Sequence, residues 1–189
     1  MFNNDSDSND PANPSEPGNL RHWSELLATD PRQTKPFQRS GGFKGTAIDT
    51  TWRIMRLTEH FGPCGTGWGM DEPRFHTMDS SDETLVYCTL RCWYKDTPTS
   101  EPSYIWGVGG DKVASRRTGT IFVDDEAFKK AFTDAIMNAF VKVGLSADIW
   151  LGLHSDSKYL VATRERFDNS RAILQQIPNQ TNPTIKSGT

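Results

Sequence analysis

Residues 124–143 read Asp-Asp-Glu-Ala-Phe-Lys-Lys-Ala-Phe-Thr-Asp-Ala-Ile-Met-Asn-Ala-Phe-Val-Lys-Val, and Gly144 follows them. The acids at the start suit the positive end of a helix dipole, and a glycine suits the left-handed residue that ends a helix. We therefore predict a long amphipathic helix whose apolar face covers a sheet. That face comprises Phe128, Ala131, Phe132, Ala135, Ile136, Ala139, Phe140 and Val143.

The region before this helix supplies the sheet. We predict strands over 68–78, 83–94 and 104–108, because β-branched and aromatic residues fill these runs between turn residues. A loop rich in glycine and basic residues is predicted over 109–119. The second strand alternates cleanly, with Val86, Cys88, Leu90 and Cys92 on one face and Tyr87, Thr89, Arg91 and Trp93 on the other.

Helices are predicted on both sides of this unit. One covers 20–27, and a second begins at Asp49 or Thr50, runs to Phe61 and buries Trp52 and Met55. Beyond the long helix, residues 147–151 and a helix from 156 to about 167 pack on as additions. The fold class is α+β: a helix, a three-stranded antiparallel β-meander and the long packed helix, a β-β-β-α core with an additional C-terminal helix.

Composition indicates one domain between two tails. Residues 1–19 hold four acids and no base, and 171–189 are mostly polar, so we predict disorder in both and a single domain over 20–170. The N-terminus resembles no signal peptide and no segment could span a membrane. Three cysteines without a secretory signal favour reduced thiols in a cytoplasm.

Charge is distributed unevenly along the chain. The formal net charge is −3, but without the four acids of residues 1–19 the remainder holds 21 bases and 20 acids. Between residues 32 and 56 there is one acid, Asp49, beside six bases: Arg32, Lys35, Arg39, Lys44, Arg53 and Arg56. Such a segment suits a groove for a polyanion, although a solvated face would also explain it.

Catalytic and metal-binding patterns are weak. Cys88 and Cys92 lack the Cys-x-x-Cys spacing of zinc sites, so core packing explains them better. The glycines and Lys112 resemble a phosphate-binding loop only in composition. The acids at 124–126 are better explained by the helix start than by a nuclease site. We expect no enzyme activity, no metal and no cofactor.

Nucleic-acid binding has more support. The basic segment is interleaved with Phe37, Phe43 and Trp52, and Lys112, Arg116 and Arg117 lie in the predicted loop. Basic side chains track phosphates and aromatic rings stack on unpaired bases, although Trp52 is better explained by the core. On the long helix, Met137 lies opposite the apolar face, so it is covered by residues 149–151 or by another subunit.

Several of these stretches resemble the single-strand DNA annealing proteins, the superfamily of the eukaryotic protein Rad fifty-two and phage-encoded recombination annealases. Trp52-Arg-Ile-Met-Arg-Leu57, Phe61-Gly62 and Gly67-Trp68 are similar to its opening helix and first strand. Ala131-Phe-Thr-Asp-Ala-Ile136 with Gly144, and Ala147-Asp-Ile-Trp-Leu-Gly152, are similar to its long helix and the segment after it. The similarity covers about residues 20–165.

The resemblance implies ATP-independent binding of single-stranded DNA, annealing of complementary strands in homologous recombination and repair, and homo-oligomeric rings or filaments. It places Arg53 in a basic groove. Met137 and Asn138 stand where well-known members have a basic pair, so other bases would replace that charge. The candidate DNA-binding residues are Arg53, Arg56, Lys35, Arg39, Lys44, Lys112, Arg116, Arg117 and Lys142.

The expected setting is a bacteriophage protein in the cytoplasm of a bacterial host. A phage exonuclease or a host single-strand-binding protein is a candidate partner. Two alternatives remain. A double-stranded-RNA-binding module has the same helix–strand–strand–strand–helix order, but its last helix normally starts with lysines, where this chain has acids at 124–126. The other alternative is an oligomeric interaction protein that binds no nucleic acid.

Overall fold

A computed structural model describes residues 18–38, 42 and 44–176 of this chain, with side chains for all of them except Arg117 and 171–176. The expected α+β class is confirmed: antiparallel strands combine with five α-helices in this part of the chain. The helices are α1 (Arg21–Leu26), α2 (Thr50–Phe61), α3 (Ala127–Phe140), α4 (Ala147–Trp150) and α5 (Ser157–Gln176). The strands are β1 (Thr34–Gln38), β2 (Lys44–Ile48), β3 (Trp68–Met70), β4 (Arg74–Asp79), β5 (Glu83–Tyr94), β6 (Ser103–Arg117) and β7 (Thr120–Val123).

The strands form two antiparallel sheets. β1 and β2 make a separate hairpin, and the main sheet has the order β3-β5-β6-β7, with β4 also paired to β5. The single strand predicted over 68–78 is therefore wrong. Met70 pairs with Cys92 and Arg74 pairs with Thr89, and the Asp71 N–H still donates to the Arg91 carbonyl at 2.8 Å, so 72–73 interrupt the pairing. Pro73 has no N–H to donate, which suits a break in the strand.

The loop predicted over 109–119 is also wrong, because β6 continues through Arg117 and turns back into β7. The glycines of this stretch serve the packing of α3. A Cβ added at Gly107 would lie 1.9 Å from the Ala135 carbonyl oxygen, and one added at Gly109 would lie 2.2 Å from the Ala135 nitrogen. Only a bare backbone lets α3 approach β6 this closely.

Helix α3 starts later than predicted. The Asp124 N–H donates to the Val113 carbonyl at 2.8 Å, which keeps that residue with the sheet. Its carboxylate accepts from the Glu126 N–H and forms an ion pair with Lys130. The three acids therefore precede the helix instead of occupying its first turn. At the other end a 3-10 turn over Val141–Val143 closes on Gly144 with a φ of 101°, which confirms the predicted left-handed end.

The main core lies between α3 and one face of the sheet. The predicted inner face of β5 is confirmed, since Val86, Cys88, Leu90 and Cys92 are all buried. Phe128 is exposed instead and its ring contacts Phe75 of β4, with centroids 5.3 Å apart. Met137 is only 1% exposed and belongs to the core cluster, so it is covered within one chain.

Helix α2 packs on this core as expected at its start. The Asp49 carboxylate accepts from the Trp52 N–H at 2.8 Å, which confirms Asp49 as the N-cap. Trp52 is buried as predicted, but Met55 is exposed and Leu57 fills the core in its place. Leu57 lies about 140° around the helix axis from Trp52, so the buried side of α2 extends beyond the narrow stripe predicted through Trp52 and Met55.

The expectation that both ends of the chain are disordered stays a prediction. Disorder over 1–19 and 171–189 concerns residues that are mostly outside those described. Within the described ranges, none of the helices combines the length and the apolar character needed to cross a lipid bilayer.

Candidate nucleic-acid interface

The predicted DNA-binding residues occupy three places in the fold. Lys35 and Lys44 lie in the β1–β2 hairpin, which leads directly into α2 with Arg53 and Arg56. The remaining candidates lie on other elements. Lys112, Arg116 and Arg117 lie in β6, and Lys142 lies in the turn after α3.

The hairpin presents two free lysines. Lys35 and Lys44 are exposed, and neither forms an ion pair with another described residue. Because Lys35 pairs with Ala47 and Gln38 pairs with Lys44, strand alternation puts the two lysines on opposite faces of the hairpin. Arg39 lies outside the described residues. This hairpin can reach phosphates on either side.

Arg53 is held half-buried in the second turn of α2. Burial lowers the pKa of its guanidinium, and the charges of Asp134 and Asp49 partly offset that effect. Its Nε is buried without a hydrogen-bond partner among the described residues. An arginine stays protonated in proteins, so Arg53 keeps its charge here, and it forms no ion pair with a described residue. Arg53 remains the best placed of the predicted contacts.

Arg56 is engaged within the chain. One of its terminal nitrogens forms an ion pair with Glu59 at 2.7 Å, and the other donates to the Glu25 carbonyl at 2.9 Å. These contacts tie α2 to the end of α1. The side chain therefore serves packing between the two helices more directly than a ligand.

The cations of β6 belong to a strand instead of the predicted loop. Lys112 forms an ion pair with Glu83 on the neighbouring strand β5. Arg116 has an exposed side chain, and its backbone N–H donates to the Asp82 carbonyl at 2.7 Å. The side chain of Arg117 lies outside the described part. Of this group, Arg116 alone is shown with a side chain open to solvent.

Lys142 covers a sheet edge. From 103 to 113, β6 has no strand partner on the side away from β5 within the described sheet. Three residues spaced four apart on α3 and its end bind that edge. Asp134 accepts from the Gly110 N–H at 3.3 Å, Asn138 donates to the Val108 carbonyl at 2.9 Å, and Lys142 donates to the Trp106 carbonyl at 2.8 Å.

This stripe explains the residue types on α3. An open edge offers unpaired backbone groups to other chains, and side chains that bind those groups protect it. Asn138 supplies an amide that donates to a carbonyl at the middle of the edge, and Lys142 is turned to the same task. Sequence periodicity places these residues on one face but does not show that a strand edge lies beneath it.

The face of the sheet opposite α3 was not predicted as a site. Its aromatic face consists of Tyr87 and Trp93 on β5 and Tyr104 and Trp106 on β6, with Arg91 among them. Tyr104 is 52% exposed and Trp106 is 59% exposed. The guanidinium carbon of Arg91 lies 4.3 Å from the centre of the Tyr104 ring, and its Nε donates to Asp71 at 2.6 Å. Part of this face was visible in the alternation of β5, whose residues opposite the buried face include Tyr87, Arg91 and Trp93.

The cysteines and the acids give no sign of a metal centre. Cys88 and Cys92 are buried in the core, and burial raises the pKa of the Cys92 thiol to about 12. A thiol held protonated in this way is a poor metal ligand. Among the described residues, no cluster of histidine, cysteine, aspartate or glutamate has the arrangement of a metal site.

The sequence matches no protein-family model, and a search of curated proteins gives no match.

Proposed function

We propose that this protein binds single-stranded DNA and anneals complementary strands without ATP and without catalysis, as a homo-oligomer in recombination. The order of elements supports this proposal. Helix α2 ends at Gly62, the sheet begins at Trp68, β5 and β6 form an antiparallel pair, and α3 then crosses the sheet and ends at Gly144. The resemblance implies a β-β-β-α order, and the succession of β3, β5, β6 and α3 is compatible with it, while β4 and β7 are further strands of the same sheet.

The observation that carries the proposal is the set of uncommitted cations on the hairpin and the start of α2. Lys35 and Lys44 are exposed, and neither they nor the half-buried Arg53 form an ion pair with any described residue. Cations that the fold has already neutralised contribute little to binding a polyanion. Cations left free release counterions when phosphates replace them, which supplies most of the affinity for a nucleic-acid backbone.

The test is the binding of a fluorescent single-stranded oligonucleotide at several salt concentrations. The variant Lys35→Glu/Lys44→Glu changes only exposed side chains, so it should fold normally. We expect weaker binding and a salt dependence shallower by about 1.4 units of log K per log salt, since each phosphate contact on a single strand contributes about 0.7. Lys158→Glu on α5 matches the change in charge of either single variant, Lys35→Glu or Lys44→Glu, at an exposed site and should bind like the wild type.

The same assay tests the two alternative functions. Preferential binding of duplex RNA would favour a double-stranded-RNA-binding module instead. Absence of binding to any nucleic acid would leave an oligomeric interaction protein. Binding of the single strand that does not depend on salt would contradict the proposed phosphate contacts.

A further inference from the structure

The aromatic face is unusual for the outside of a sheet. Large aromatic side chains on a strand normally pack into a core, yet Tyr104 and Trp106 stand more than half exposed on the side of β6 away from α3. Scattered single apolar residues on a surface are ordinary, but four rings on two adjacent strands form a patch. A patch of this kind marks a binding surface.

Two of the rings are held in place by glycines on the neighbouring strands. A Cβ added at Gly69 would lie 2.6 Å from the Trp93 ring, and one added at Gly110 would lie 3.0 Å from the Tyr87 ring. Gly69 pairs with Trp93 across β3 and β5, and Gly110 pairs with Tyr87 across β5 and β6. Each ring therefore lies over bare backbone, and the glycine beneath it leaves the room for that position.

Cations stand among these rings. Arg91 lies over Tyr104, and Arg74 on β4 is exposed next to Thr89 and forms no ion pair with a described residue. Two open grooves run over this surface. One of about 550 Å³ is lined by Trp93, Tyr104 and Lys95, and the other of about 510 Å³ is lined by Trp106, Arg91 and Arg74. Asp71 lines both grooves, so they meet at the Arg91–Asp71 pair.

We propose that the aromatic face binds the unpaired bases of a single nucleic-acid strand by stacking on Trp106, Tyr104 and their neighbours. Base stacking on aromatic rings does not depend on sequence, and rings on a sheet surface can hold two or three bases. Arg74 and Lys95, which form no ion pair with a described residue, suit the phosphates between those bases. A duplex hides its bases, so this face selects unpaired strands.

A second copy of the chain fits this face less well. The centre of a stable subunit interface is depleted in charged residues, whereas Arg91 and Asp71 lie at the middle of this surface. Burying that pair against a protein would remove its solvation with nothing on the face to replace it. The proposal takes its ligand class from the proposed function but depends on none of the hairpin lysines.

The test compares a short oligothymidylate with an abasic oligonucleotide of the same length and charge. Trp106→Ala removes one exposed ring, and Trp150→Ala removes a ring that is 68% exposed on α4 and lies off the sheet. We expect the wild type to prefer the strand that carries bases. Trp106→Ala should weaken oligothymidylate binding roughly tenfold or more and leave abasic binding unchanged. Trp150→Ala should match the wild type for both ligands.

Other outcomes separate the two proposals. If the wild type binds both ligands equally, or Trp106→Ala binds oligothymidylate normally, the stacking proposal is wrong although single-strand binding stands. If Trp106→Ala dissociates an oligomer in sedimentation and keeps its affinity per protomer, the face is a subunit contact and the proposal also fails. Tighter binding of oligouridylate would support stacking on this face and contradict DNA as the strand.

Discussion

Asp148 is the residue whose loss should damage the fold most clearly. Its side chain is fully buried and accepts five hydrogen bonds, which join the segment after α1 to α4 and α5. The donors are the Thr29 N–H at 2.7 Å, the Thr29 hydroxyl at 2.7 Å, the Ile149 N–H at 2.9 Å, the His154 ring nitrogen Nε2 at 3.1 Å and the Tyr159 hydroxyl at 2.9 Å.

The expected cost of Asp148→Ala follows from these contacts. A hydrogen bond to a charged group contributes about 1.5–3 kcal/mol, so five would sum to roughly 10 kcal/mol. The substitution also relieves the cost of burying a carboxylate, which amounts to several kcal/mol. We therefore expect a net loss of about 4 kcal/mol in the free energy of unfolding, a large share of the ~5–15 kcal/mol typical of a domain.

Asp148→Asn should cost less because its shape is kept. If the amide oxygen takes the place of Oδ2, it still accepts from the Thr29 N–H, His154 and Tyr159. The amide nitrogen then faces the Thr29 hydroxyl, which can rotate to accept, and the Ile149 N–H, which loses its partner. We expect a loss of about 1–2 kcal/mol, close to the value of one buried hydrogen bond.

Chemical denaturation with urea measures these differences. Asp125→Ala is the matched control, since that aspartate is exposed and should shift stability by no more than about 0.5 kcal/mol. Tyr159 gives a second readout that general destabilisation would not change. Burial first, and then Asp148, raise the pKa of the Tyr159 phenol to about 12, and Asp148→Asn should lower it. A wild-type stability in Asp148→Ala would refute this account of the contact.

Two further predictions concern packing and pH. Gly109→Ala should destabilise the fold by about 3 kcal/mol, because its Cβ would lie 2.2 Å from the backbone of α3. Gly110→Ala should cost less, about 1 kcal/mol in the same urea experiment, because its nearest atoms are the Tyr87 ring at 3.0 Å and the Val86 carbonyl oxygen at 3.3 Å. Burial lowers the pKa of His60, which also contacts His22 and Glu25 and lies near Arg56. The unfolded chain therefore binds a proton at this histidine more readily than the folded chain does. Stability should fall as the pH drops below about 6.5. Thermal unfolding between neutral and mildly acidic pH tests this, and a dependence that persists unchanged in His60→Gln would assign it to another group.

Local patterns predicted the parts of the fold that depend on neighbours in sequence. The alternation of β5 identified its buried face, Asp49 identified the start of α2, and Gly144 identified the end of the α3 region. Each of these signals acts within a few residues. The predicted start of α3 was wrong because the Asp124 N–H donates to the carbonyl of Val113 in β6. A helical sequence pattern carries no information about that contact.

Long-range contacts account for what sequence reasoning missed. Gly107 and Gly109 read as loop residues because their role depends on α3 lying against them. Asp148 read as part of a short addition, since its partner Thr29 is 119 positions away. The sequence indicates Lys142 as a candidate groove residue and Asn138 as a position without the expected base, because the unpaired edge of β6 that both bind can be recognised only once the sheet is assembled.

In the candidate site too, local patterns were informative and long-range contacts were missed. Composition identifies a basic segment, and the structure places it on the hairpin and α2. Charge counts cannot distinguish free lysines from those that the fold neutralises, as Glu83 does for Lys112. The aromatic face can be recognised only when the pairing register of β5 and β6 is known, because its rings come from both strands. Aromatic residues that alternate with the buried residues of a strand should also be considered as a candidate binding surface.

The annealing rate of two complementary oligonucleotides, followed by energy transfer between dyes without ATP, tests the central claim most directly. The account predicts that the wild type and Lys158→Glu speed annealing well above the spontaneous rate, and that Lys35→Glu/Lys44→Glu does so far less. A wild-type protein that binds the single strands and leaves their annealing at the spontaneous rate would contradict it.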